Sequence, residues 1–132
     1  MIGIEDLNVG DLLIRLDRSG PACLRLDWLG PCDKANPVEL IGPFFEKVLA
    51  EAREGGRGID MHFEALAYLN SSCIASLVRF IRSSREARVA LRIYYAADLK
   101  WQSVTFDLLE RALTPPGGRP PGPDVEFLPA RS

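Results

Sequence analysis

The chain reads as an α/β protein: a mixed, mainly parallel sheet of about five strands with helices on one face. Three observations predict this. Short stretches of apolar–polar alternation take turns with longer stretches of helical period, in the order β-β-α-β-α-β-α-β, as in strands joined by helical crossovers. The polar positions of the alternating stretches are charged or protic (Arg25, Asp27, Asp60, His62, Glu64, Arg92), which predicts a second sheet face left to solvent. Finally, 132 residues make one domain, 1–132, large enough to bury a core without a covalent staple.

The elements follow in order. "DLLIRLD" (11–17) and "CLRLDWL" (23–29) flank the turn signal "RSGP", so they predict a closely paired couple of strands. In "NPVELIGPFFEKVLAEAREGG", Asn36 is a good N-cap, Pro37 suits the first helical position and Glu39 can reach back to the cap. Val38, Ile41, Phe44, Phe45, Val48, Leu49 and Ala52 then form an apolar stripe, and Gly55-Gly56 stops the helix. Pro43 is the misfit, expected to kink the helix or delay its start. "GIDMHFEAL" (58–66) alternates as one half-buried strand. After Asn70 the period changes, and Ile74, Leu77, Val78 and Ile81 recur at helical spacing. "VALRIYY" (89–95) is the next strand, and "SVTFDLLERAL" (103–113) the next helix, with Ser103 as its cap. Residues 114–124 form a Pro/Gly-rich loop, and "VEFL" (125–128) is a short final strand.

Composition excludes several classes. A net charge of -2 provides no long-range attraction to nucleic acid or anionic lipid, and no apolar run approaches membrane-spanning length. The acidic amino terminus has no apolar signal core, so the expected location is cytoplasmic. Three widely spaced cysteines, Cys23, Cys32 and Cys73, with no CxxC pair and one histidine, argue against a disulfide framework or a structural zinc; the thiols are expected to be reduced, and no cofactor or metal is implied. Catalysis would have to join Ser72 or Cys73 to His62. His62 lies on the preceding strand, expected on the far face, so the chain reads as a non-enzyme. The arginines at 79, 82, 85 and 88 read as a solvated helix face.

The place for a site is set by topology. Parallel strands joined by right-handed crossovers bring their carboxyl ends to one edge, where ligands and partners bind. That edge gathers "LGPCDKANP", "LNSSC" and "AADLKWQS", and with them Asp33, Lys34, Asn36, Asn70, Ser71, Ser72, Cys73, Leu99 and Trp101 as candidate partner-contact residues. Trp101 serves equally as a packing residue or as an exposed aromatic anchor.

"FEALAYLNSSCIASLVRFI", with the element order from about Ile14 to Leu128, resembles the STAS domains of anti-sigma-factor antagonists and sulfate-transporter tails. Their signature is a strand, then Asp, two hydroxyl residues and Gly, then an amphipathic helix. Here Asn70 stands for the Asp and Cys73 for the Gly. The resemblance implies a STAS-like fold and a protein-binding switch. A kinase that doubles as an anti-sigma factor phosphorylates a hydroxyl, which maps to Ser72 or Ser71. A STAS-like branch with Asn before its hydroxyls regulates a diguanylate cyclase through a kinase and phosphatase pair, and its target position maps to Ser71. A phosphoserine at either position adds about -1.5 to -2 charge. The helix start tolerates that charge, and a partner fitted to a neutral hydroxyl does not.

Overall fold

The computed structural model describes residues 4–33, 37–113 and 125–130. Its first three strands are antiparallel neighbours: β1 (Ile4–Val9), β2 (Leu12–Asp17) and β3 (Cys23–Cys32). Helix α1 (Pro37–Gly55) crosses to β4 (Gly58–His62), and a short strand β5 (Leu66–Leu69) leads into α2 (Ser71–Glu86). Then come β6 (Leu91–Ala96), α3 (Lys100–Leu113) and β7 (Val125–Ala130). The sheet order is β1-β2-β3-β4-β6-β7, with β5 beside the end of β3. The pairs β3–β4, β3–β5, β4–β6 and β6–β7 are parallel. Every crossover steps across the sheet in the same direction, so right-handed connections place all three helices on one face.

Register turns the alternation into rows. On the helix side, Leu16, Leu26, Met61, Ile93 and Phe127 are cross-strand partners in succession, and so are Leu24, Ile59, Leu91 and Val125. All nine are buried. Aromatic rings join the sheet to the helices: Trp28 lies 4.9 Å from Phe63 and 5.7 Å from Phe45, and Phe45 lies 4.5 Å from Phe80.

The opposite face has two rows as well. One runs Asp17, Arg25, Asp60, Arg92, Glu126; the other runs Asp6, Arg15, Asp27, His62, Tyr94. The first alternates in sign at every step, and the second does so through Asp27. Arg92 holds Asp60 with two bonds of 2.8 and 3.1 Å, and these keep its guanidinium charged beyond the ordinary arginine range. Bonding to Asp27 does the same for Arg25, and the hydroxyl and N–H of Ser19 hold the Asp17 carboxyl below its ordinary value. His62 stacks flat on Tyr94 at 4.3 Å and meets Glu64 at 3.1 Å.

The structure corrects the sequence reading in five places. Among the described residues there are seven strands rather than about five. Strand β1 is added through a two-residue turn at Gly10-Asp11, with Gly10 at φ +62 in the position a type II′ turn gives to glycine. The stretch 58–66 is not one strand, because the chain turns at Phe63 and resumes as β5. Helix α3 starts at Lys100, not Ser103, whose N–H already bonds to the Leu99 carbonyl. Helix α1 starts at Pro37, so Pro43 lies inside it, exposed, and does not delay its start. Finally, Cys32 and Cys73 are joined in a disulfide, with Cα atoms 6.3 Å apart, and only Cys23 among the cysteines is free. Lys34, Asn36 and the 114–124 loop lie outside the described residues.

Candidate functional site

The serine loop is built on the end of β3. Gly30 stands there at φ +83, where the register slips between Gly30 and Pro31. A Cβ on Gly30 would run into the Asp11 carbonyl, so only glycine lets β3 pass β2 this closely. Past the slip, β3 pairs with β5, and Cys32 aligns with Leu69. The Asn70 N–H then donates to the Cys32 carbonyl at 3.0 Å, and the disulfide joins Cys32 to Cys73. Residues 69–73 are therefore attached to Cys32 by a backbone hydrogen bond and by the disulfide.

Asn70 caps α2. Its backbone is extended (φ -81, ψ 172) and its Oδ1 accepts the Cys73 N–H at 2.8 Å. No acidic residue occupies the first turn of α2. The two hydroxyls differ in presentation. Ser71 is exposed, on the stripe it shares with exposed Ala75, Arg79 and Arg82. Ser72 is half-buried and starts the stripe of buried Ser76 and groove-lining Ser83, which faces α1.

Buried polar bonding fixes the edge. Gln102 is fully buried in α3; its Oε1 accepts the Ala96 N–H at 2.7 Å, and its Nε2 donates to the carbonyls of Phe63 at 2.7 Å and Leu66 at 3.1 Å. One side chain thereby joins the end of β6, the turn between β4 and β5, and the start of α3.

The other candidates divide. Asp33 is exposed just after β3, and Leu99 is 42% exposed before α3, so both border the loop edge in solvent. Trp101 is half-buried and packs on the core. Cys73 is only 3% exposed, so its sulfur is beneath the loop rather than presented from it. Sequence reasoning missed Gln102, the Cys32 attachment, and two exposed apolar side chains at this edge, Leu40 and Tyr68. Neither Tyr68 nor Gln102 had a signal: strand alternation would place Tyr68 on the face of buried Leu66, and a glutamine in an amphipathic helix does not mark itself. Among the described residues no cluster of His, Cys, Asp and Glu could hold a metal ion, and no helix is long and apolar enough to cross a membrane.

A mixed sheet covered on one face by three helices, with a capped polar helix start at its carboxyl edge, is a fold that known structures share. The particular likeness is to SiaC of Pseudomonas aeruginosa, with a TM-score of 0.61 at 20% identity over 99% of this chain and 100% of that one. The apo form of SiaC from the same organism gives 0.60 at 16% identity, over 94% and 98%. SiaC in complex with the diguanylate cyclase SiaD, which it activates, gives 0.57 at 19% identity, over 96% and 99%. No family model and no curated protein matches the chain.

Proposed function

We propose that this chain is a regulatory protein-binding domain that docks its serine-loop edge on a signalling enzyme of the diguanylate cyclase class. Phosphorylation of the loop by a partner kinase, reversed by a phosphatase, breaks the contact. The observation that carries this reading is the exposed hydroxyl of Ser71 at the capped start of α2, on a fold shared with an activator of a diguanylate cyclase. Ser71 is favoured over Ser72 because it is exposed, whereas Ser72 is half-buried.

The chemistry is differential. The helix start offers unsatisfied N–H groups and partial positive charge, so the fold accepts a phosphate there. Leu40, Tyr68 and Leu99 supply exposed apolar contact area on the same edge. A charge added beside that area costs desolvation and repulsion in the complex and nothing in the free domain. The likeness to a cyclase activator favours this partner class over an anti-sigma factor. The domain itself carries no reaction in this reading: His62, the one base considered, is engaged with Glu64 and Tyr94 on the open face.

The test is capture from cells that express the protein, with wild type, Ser71→Ala and Ser71→Asp as baits and cyclase activity measured in the eluates. Wild type and Ser71→Ala should retain a diguanylate cyclase, and Ser71→Asp should weaken the complex by about tenfold or more. Equal retention of the cyclase by Ser71→Asp would sink the switch, and no cyclase with any bait would sink the partner.

A further inference from the structure

We propose that Cys32 and Cys73 are a thiol–disulfide redox couple that latches the serine loop, so that its reduction loosens the first turn of α2. The regulatory consequence rests on the protein-binding reading above; the couple and the loosening do not.

The bridge does not join two surface loops; it joins the end of β3 to the first turn of the helix that carries Ser71 and Ser72. Both hydroxyls lie between Asn70, bonded to the Cys32 carbonyl, and Cys73, bonded to the Cys32 sulfur. Hydrogen bonds also hold this segment, among them the Asn70 N–H to Cys32, the Cys73 N–H to the Asn70 side chain, and the Ile74 N–H to the Asn70 carbonyl at 2.9 Å. Two thiols cannot approach as closely as two bonded sulfurs. Cys32 is fully buried in the sheet and Cys73 is at a helix start, so the part that gives way on reduction is the helix start.

The redox step balances with a dithiol as reductant. Its thiolate attacks the Cys73 sulfur, the less buried of the two, and expels Cys32, which takes up a proton. The second dithiol sulfur then attacks the first and closes the reductant's own disulfide. This releases Cys73 as a thiolate, favoured as a leaving group by the helix start, which is then protonated. Two electrons and two protons pass from the dithiol to the cysteine pair. Cys23 takes no part: it is on β3, where its sulfur accepts a bond from Arg92 at 3.4 Å.

The consequence for the switch is graded. With the bridge closed, Ser71 and Ser72 are held in helical geometry. With it open, the turn frays and offers a hydroxyl in the extended form that kinase active sites accept, while the partner loses a preorganised surface.

The test uses the whole chain and no partner. Alkylation in denaturant should label one cysteine before dithiothreitol and three after it; three labelled without reduction would overturn the couple. Hydrogen exchange, with and without dithiothreitol, should then show the Cys73 and Ile74 amides exchanging severalfold faster in the reduced protein, with β6 unchanged. Equal exchange at those amides would overturn the latch while leaving the protein-binding reading intact. The C32A/C73A variant should match the reduced protein and ignore dithiothreitol; a response in that variant would place the effect elsewhere. Should the variant not fold, the wild-type comparison still decides.

Discussion

At the carboxyl edge of the sheet, Gln102, Asn70, Gly30 and the Cys32–Cys73 bridge each make a contact that no neighbour can replace. On the open face, Asp6–Arg15, Arg25–Asp27 and Asp60–Arg92 pair in partial solvent, and each charge except Asp6 has a further opposite charge beside it in its row. The two regions use polar residues to different ends. Buried bonds carry energy because water cannot stand in for a lost partner. Exposed pairs carry little, because water and salt can. Geometry is therefore tightly specified where the serine loop is presented. The uncovered face is kept solvated and unattractive to other sheets by a pattern that tolerates the loss of any one member.

Five substitutions would break or sharpen this contrast, taken from the largest effect down. Gln102→Leu keeps the volume but strands the Ala96 N–H and the carbonyls of Phe63 and Leu66, and should cost about 3 kcal/mol in urea unfolding. A loss below about 1 kcal/mol would mean that water fills the role. Gly30→Ala forces a side chain into positive φ and against the Asp11 carbonyl; a loss of about 2 kcal/mol is expected from the thermal midpoint. Asn70→Ala removes the cap and should cost about 1 kcal/mol, with faster exchange confined to the first turn of α2.

On the open face, Arg25→Ala should change stability by less than about 0.5 kcal/mol, and less still in high salt. An effect as large as that of Asn70→Ala would erase the contrast. The pH dependence there has a fixed sign. Asp17 has a lowered carboxyl pKa in the fold, so its contribution is present above the ordinary carboxylate range and fades as pH falls through the lowered value. Asp17→Asn should flatten that part of the acid limb.

Legibility followed the range of the interactions. The α1 and α2 stripes, the β3 and β4 alternation and the solvent-facing polar set were readable because period depends only on neighbours in the chain. Strand β1 was not: Asp6 and Asn8 are exposed, Leu7 and Val9 are only half-buried, and its existence depends on pairing with β2. The split of 58–69 into β4 and β5 was hidden because alternation continues to Glu64, and the turn at Phe63 is held by Gln102 from another helix. The cysteine bridge spans 41 positions, and spacing says nothing about which ends of β3 and α2 meet.

The sequence by itself determined the class of fold, which face each strand buries, and that a polar helix start sits at the edge where partners bind. These follow from hydrophobic period and from the handedness of crossovers, which act along the chain. The tertiary structure alone decided that the open-face charges alternate across strands, that Ser71 rather than Ser72 looks outward, and that Cys32 and Gln102 hold the loop from beneath. Those are matters of register and of burial between distant segments, and a lone side chain carries no record of the neighbour it will meet.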